Sequence, residues 1–563
     1  MDLKTSIAAA LAQKIEGMDA DQVRCLLETP PDAQMGDCAL PCFKLAKTLR
    51  KAPPVIAQEL ADGLSVDGIA EIKVAGGYLN FYFDAAALAQ SVLAGVAAAN
   101  GQYGRSDIGQ NKNVCIDYSS VNIAKPFHIG HLSSTAIGHS LYRIYKYLGY
   151  NPIGINHLGD WGTQFGKLIA AYKKWGDDEK INRDSVSAML ELYVRFHEEA
   201  ERDPALNDEG RAWFKKIEDG DEEALSIFHW FSDLTLKEAK RVYGMLDIEF
   251  DYYTGESFYN DKMQPIVDEL RQKGLLEEDQ GAEIVRLDDM PPAIILKSDG
   301  ATLYCTRDLA AAQYRHDTFD FAKCLYVVAY QQSLHFKQLF AVLEKMGRSW
   351  AKDCEHVAFG MVSLEDGTLS TRKGKVVLLL DVLNAAIEKT SKTIREKNPA
   401  LSEEEQQKIA HQVGVGAVIY STLSASRIKD ISFSLDRVLN FDGETGPYVQ
   451  YTHVRACSVL RRYEQTDVTP DFTALSGREA FETVKTIAAF GEALETACEK
   501  NEPSVITRWV TQLAQQFNKF YYECKILDDD QAATAARVML TRAVRDCIKT
   551  GLYLLGIEAP EKM

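Results

Sequence analysis

No apolar run reaches the ~18 residues that a membrane-crossing helix needs, so no transmembrane segment is expected. The start, Met1-Asp2-Leu3-Lys4, lacks a basic stretch leading into a continuous apolar core, so no secretory signal is expected either. There is no Cys-x-x-Cys. The 11 cysteines are scattered singly and odd in number, which argues against a disulfide framework and fits reduced thiols in a cytoplasmic protein. Cys38 and Cys42, the closest pair, are accounted for by one turn of helix. Low-complexity stretches and internal repeats are absent. A surplus of positive charge is missing too: 63 Lys and Arg stand against 81 Asp and Glu, a formal net charge of −18. That argues against indiscriminate nucleic-acid binding. A structured RNA partner stays open, provided that cations gather locally on an acidic body.

At 563 residues the chain is too long for one core, and about three or four domains are expected. The densest information lies at Phe127-His128-Ile129-Gly130-His131. Before it, Asn113-Val114-Cys115-Ile116-Asp117-Tyr118 is apolar and β-prone, as a buried parallel strand should be. After it, Leu132 to Leu148 repeats apolar residues at helical spacing. Two imidazoles and a glycine thus sit where a strand hands over to a helix, the place where open α/β sheets bind nucleotides. Taken alone, His-x-x-His also reads as a zinc ligand pair or as two polar residues capping a helix. Zinc lacks a third ligand here.

The motif is not alone. Ser119-Ser120-Val121-Asn122-Ile123-Ala124-Lys125-Pro126 leads into it, and Asn156-His157-Leu158-Gly159-Asp160-Trp161-Gly162-Thr163-Gln164-Phe165-Gly166 follows. Together these closely resemble the class I aminoacyl-tRNA synthetases, and within them the arginyl-tRNA synthetase family. Further matching stretches recur from residue 36 to the C-terminus, including Phe441-Asp442-Gly443-Glu444-Thr445-Gly446-Pro447-Tyr448-Val449-Gln450-Tyr451.

The resemblance implies a multidomain chain, α/β plus all-α. A small α/β N-terminal domain (1–108) touches the outer corner of tRNA. A Rossmann-type parallel-sheet catalytic domain (109–385) carries an insertion at about 166–289 and resumes at Ala293. A C-terminal helical bundle (386–563) binds the anticodon. Within residues 1–108, helices are expected at 4–15, 38–50 and 54–63, and strands at 72–75 and 78–83. Lys44, Lys47 and Lys51 share helical spacing, with Arg50 beside them. This is a solvated helix face, or, by the resemblance, part of the tRNA surface.

The implied reaction joins L-arginine to ATP, with Mg2+, and transfers it to the 3′-terminal ribose of tRNA(Arg), releasing AMP and pyrophosphate. No structural metal, no membrane and no second subunit is called for; a monomer is expected. His128 and His131 are the expected phosphate donors, and Gly130 lets adenine lie against the backbone. The family's second signature, Lys-Met-Ser-Lys, corresponds here to Gly367-Thr368-Leu369-Ser370-Thr371-Arg372-Lys373-Gly374-Lys375. Thr371 replaces its last lysine, so Ser370, Arg372, Lys373 and Lys375 are left to hold ATP phosphates. By the resemblance, Lys125 supplies the missing charge.

The guanidinium of arginine needs carboxylates in a planar fork. Asp117, which stands where the family more often has Glu, Asn122, His157, Tyr304, Asp308 and Gln332 are the candidates. Tyr304 and Asp308 are implied at the guanidinium end. Asp308 also reads as a helix N-cap before Leu309. Tyr448, Tyr451, Arg455, Phe517, Asn518 and Tyr521 are candidates for unpaired anticodon bases; aromatic stripes at helical spacing also read as core. Two alternatives compete with this assignment. One is a synthetase for another amino acid, which the paired carboxylates oppose. The other is a non-enzymatic tRNA-binding relative, supported only by the altered second signature.

Overall fold

The computed structural model describes residues 3–123, 127–298, 302, 304–364, 377–464 and 468–563. Lys125 and the whole Gly367–Lys375 stretch lie outside them.

The N-terminal unit is a three-stranded antiparallel sheet in the order β1 (Cys38–Pro41), β3 (Tyr78–Phe83), β2 (Ile69–Ala75). Helices Leu3–Ala12 and Pro53–Ala61 cover it, around a core that includes Ile7, Leu11, Leu40, Ile56, Leu79 and Phe81. The helix expected over 38–50 is not formed as such. Cys38–Pro41 is an edge strand, then come a 3-10 turn at Cys42–Leu45 and a short helix at Ala46–Leu49. Pro41 fits an edge strand, where its missing N–H costs no ladder bond. Cys38 and Cys42 therefore do not share a helical turn. Lys44 pairs with Glu28 at 3.6 Å and Lys51 with Glu59 at 2.7 Å.

The central sheet is parallel throughout, in the order β11 (Cys354–His356), β10 (Lys323–Tyr326), β4 (Asn113–Asp117), β5 (Asn151–Asn156), β6 (Tyr252–Tyr253). Along β4, Val114 and Ile116 join one core and Cys115 the other. Both faces are covered, which is why the run is apolar without alternation. The chain runs from β4 outward to β5 and β6, then returns to the other side of β4 as β10. The order reverses between β4 and β10, so the crevice at their carboxyl ends is the topological switch point.

Helices spanning Thr163 to Met245 form the inserted lobe. β6 rejoins the central sheet from within the stretch expected to be insertion. Ala293–Leu296 (β9) instead pairs with β8 (Ala282–Val285) and β7 (Leu276–Asp279) in a side sheet. The Ala85–Ala98 helix, N-capped by Asp84 through the Ala87 N–H at 2.8 Å, packs against helices Arg478–Ala488 and Gln531–Leu554. From 386 onward the chain is helical apart from β13 (Ile431–Phe433), which pairs in parallel with β12 (Val362–Leu364). No described helix is long and apolar enough to cross a membrane.

Candidate active site

Where β4 ends, Ser119 and Ser120 both take positive φ, 70° and 46°. Left-handed backbone costs a residue with a Cβ about 1–2 kcal/mol, so something must hold the turn. Ser134 Oγ receives the Ser119 N–H at 2.9 Å, and Thr135 Oγ1 donates to Ser119 Oγ at 2.8 Å. Ser119 Oγ also lies 2.8 Å from the buried Tyr243 hydroxyl, which takes the Asn156 amide N–H at 2.9 Å. A tyrosine from the inserted lobe thus joins the ends of β4 and β5.

The turn delivers the histidines. His128 caps the 3-10 turn Ile129–His131, which runs into the helix Leu132–Tyr147. Its Nδ1 accepts the Gly130 N–H at 3.1 Å, and His131 Nδ1 accepts the His128 N–H at 3.2 Å. A neutral ring that accepts at Nδ1 carries its proton on Nε2, so each ring keeps a donor edge. The ring centroids are 3.9 Å apart.

The chain after the second signature docks here. Ile129 N–H donates to Val377 O at 3.1 Å, Leu379 N–H donates to Phe127 O at 2.9 Å, and His128 bridges Leu378. The other flank of that stretch, β12, is held by β13.

A second group of side chains meets at the same carboxyl end of the sheet. Asp308, in the first turns of the helix Tyr304–Phe319, lies 2.6 Å from His335 Nε2 and 3.8 Å from His157 Nε2. Burial alone would raise its pKa, but the His335 hydrogen bond and charge, with His157 and Arg315 behind, hold the carboxyl below its usual range. His157 is oriented by Thr254 O, 3.1 Å from its Nδ1. Asn122 bridges Gly159, where any side chain would collide with the Asn122 carbonyl oxygen at 2.2 Å. Tyr304, 62% exposed, opens its helix. Gln332 ends the 3-10 turn after β10, exposed and one turn ahead of His335.

Glu256 was not singled out from sequence, and it belongs to this group. Its carboxylate is 3.3 Å from Arg307, next to Asp308. Burial pushes its pKa up to about 7; Arg307 opposes the rise, while Asp308 and Asp160 add to it. Asp160 receives the Ser257 N–H at 2.8 Å and the Ser257 hydroxyl at 2.7 Å. Gly255 must lack a side chain because its Cβ would sit 2.5 Å from the Asp160 carboxylate. In the sequence Glu256 lies within Gly255-Glu256-Ser257-Phe258-Tyr259-Asn260, one of the further stretches that resemble the family.

Asp117 is placed differently from the other candidates. It forms a 2.7 Å ion pair with Arg315 and accepts the Ser120 hydroxyl at 2.7 Å. Arg315 is 1% exposed and Asp117 5%. Its carboxylate is engaged inside the protein.

In the C-terminal bundle, the Arg455 guanidinium lies over Tyr451, Tyr521 and Tyr522, with centroids at 5.2, 4.9 and 5.2 Å. Asn518 is buried and braces the cluster, donating to Tyr448 Oη and Thr452 Oγ1, both at 2.9 Å, and accepting from Arg455. Tyr448, Tyr451, Arg455, Asn518 and Tyr522 border a cavity of about 490 Å3. Phe517 is a correction: fully buried in the bundle core, its ring has no face to offer a base.

This architecture matches known families. Residues 93–435 match the class I (R) tRNA synthetase catalytic domain, 449–563 the DALR anticodon binding domain, and 1–83 the arginyl tRNA synthetase N terminal domain. The sheet with its histidine turn and the helical C-terminal domain define a class I aminoacyl-tRNA synthetase. The arginine–tRNA ligases of Alkaliphilus metalliredigens and Clostridium perfringens are 52% and 50% identical, each aligned over 100% of both chains. The Thermus thermophilus arginyl-tRNA synthetase structure superposes with a TM-score of 0.84 at 26% identity, covering 100% of this chain and 99% of that one. The chain belongs to the arginyl-tRNA synthetase family.

Proposed function

We propose that the chain charges tRNA(Arg) with L-arginine through arginyl-adenylate, using the crevice between β4 and β10. The observation that carries this reading is the pair of half-buried carboxylates Asp308 and Glu256, set at the same carboxyl end of the sheet as the histidine turn: a place for a planar cation near a phosphate site. Asp308 and Glu256 take the guanidinium, with Tyr304 over it. Asn122, His157 and Gln332 hold the α-amino and carboxylate end. Asp117 acts from behind, anchoring Arg315.

In the first step a carboxylate oxygen of arginine attacks the α-phosphorus of ATP, and the bond to the bridging oxygen breaks, releasing pyrophosphate. His128 and His131 donate from Nε2 to the phosphate oxygens, and the flat Gly130 surface takes adenine. Ser370, Arg372, Lys373 and Lys375 are assigned to the pyrophosphate end; the docking of residues 377–379 supports this by tying their segment to the histidine turn. In the second step the terminal 2′-hydroxyl attacks the adenylate carbonyl and AMP leaves.

Mg2+ is assigned to the ATP phosphates. Phosphate oxygens and water are the ligands that this hard cation favours. The chain is assigned as a cytoplasmic monomer. ATP–pyrophosphate exchange tests the activation step: with arginine present, exchange should appear either alone or once tRNA is added. Exchange driven by another amino acid, or none in either condition, would overturn the reading.

Two expectations follow from the geometry. Glu256 must be ionised to receive a guanidinium, and its pKa stands at about 7. Its neutral form dominates below that value, so the arginine KM should rise as pH falls through 7, approaching tenfold per unit. Glu256→Gln should flatten that limb of the profile; a wild-type KM constant from pH 6 to 8 would remove Glu256 from the pocket.

Arg455→Ala should take away the cation that organises three tyrosines. Loss of one stacking position costs about 1–3 kcal/mol, so the tRNA KM should rise about 5- to 100-fold with the arginine KM unchanged. An unaltered tRNA KM would return the cluster to a purely structural role.

A further inference from the structure

A concave site separate from the reaction centre lies where the loop after Ala85–Ala98 meets the ends of helices Leu132–Tyr147 and Gln531–Leu554. The cavity measures about 460 Å3. Arg105 comes from the loop, Arg143 and Lys146 from the first helix, and Lys549 from the second. Most long cations of this acidic chain that lie near a carboxylate are paired with it, as in Lys173–Glu223 and Arg348–Glu269. Here they are not. Among the described residues, Lys146 and Lys549 have no ion pair, and Arg105 donates only to Gln102 at 2.7 Å. The one acid in the lining, Asp546, is taken by Arg545 at 2.6 Å. Arg143 is committed to Asp247 at 2.8 Å and to Tyr553 O at 2.8 Å, which fixes the wall. The Arg143 guanidinium also lies over the Tyr553 ring, 4.6 Å from its centroid, and so holds that side chain in the wall.

We propose that this cavity binds a compact ligand with two or more contiguous phosphates, a nucleoside polyphosphate or a free oligophosphate. Three unpaired cations from three elements of a chain carrying −18 concentrate positive potential in one concavity. Contiguous phosphates put several charges in a small volume, whereas an RNA backbone presents single charges along a convex surface. The helix Leu132–Tyr147 separates the cavity from His131 by 16 residues, roughly 24 Å, so a ligand here is not the ATP undergoing reaction.

The test is equilibrium dialysis of the full chain with inorganic triphosphate and, separately, ATP. Wild type is compared with Lys146→Gln/Lys549→Gln and with Lys146→Glu/Lys549→Glu; the glutamine pair keeps side-chain bulk should the charge-reversed form fold poorly. Wild type should bind one more equivalent than the variants, or bind it about tenfold tighter per lysine, with the KM values for ATP and arginine unchanged. Saturation by ATP but not by triphosphate would assign a nucleotide; saturation by both, an oligophosphate. Equal stoichiometry and affinity in wild type and variants would overturn the proposal. So would unchanged triphosphate binding alongside weaker tRNA binding with a shallower salt dependence, which would give these cations to the tRNA backbone.

Discussion

Asp308→Asn is expected to lower kcat/KM for arginine by about 30- to 1000-fold while leaving the ATP KM nearly unchanged. The carboxylate lies 2.6 Å from His335 and 3.8 Å from His157, and it is close enough to Glu256 to help raise that residue's pKa. Its ionised form is the one the pocket favours. An amide keeps the shape but loses the charge that a buried guanidinium requires, at a cost of roughly 2–4 kcal/mol. His335 would also lose its anionic partner, so a pH-dependent loss should accompany the drop. The split between the two substrates decides the matter, because a folding defect would reduce both. A mutant that charges normally at limiting arginine would remove Asp308 from the site.

Lys125→Met is expected to lower kcat for aminoacylation by about 100-fold or more, with little change in the arginine KM. The argument is electrostatic. Negative charge spreads over three phosphates in the transition state, more than the hydrogen bonds of two imidazoles can offset. One lysine in a water-poor site contributes a few kcal/mol. By resemblance to the family's second signature, Thr371 stands in place of its last lysine. Thr371→Lys on the Lys125→Met background should therefore recover part of the rate. Single-turnover adenylate formation in the single and double mutants is the relevant measurement. Full activity in Lys125→Met would shift phosphate clamping to Arg372, Lys373 or Lys375.

Much of the catalytic domain was legible because its signals are local. The apolar run at 113–118 became β4, and the helical spacing from Leu132 became the helix Leu132–Tyr147. Elsewhere local pattern misled. Lys44, Lys47 and Lys51 suggested a helix reaching back to 38, but strand pairing of Cys38–Pro41 with β3 outweighed that spacing. Phe517 shared the period of Tyr521, yet periodicity does not say which side of a helix faces the core. Long-range partners were the least legible. Asp117 looked like a substrate carboxylate because its partner Arg315 lies 198 positions further along the chain. Glu256 was overlooked because it lies in a stretch set apart as insertion, and only folding brings it beside Asp308.

Charging of tRNA(Arg) tests the central claim most directly. The purified chain, ATP with Mg2+, labelled arginine and tRNA(Arg) should give arginine esterified to the 3′-terminal ribose, with one AMP and one pyrophosphate released per arginine attached. Lysine at equal concentration should give none, because an ammonium offers no planar fork to Asp308 and Glu256. Failure to esterify arginine, or equal charging with lysine, would contradict the account.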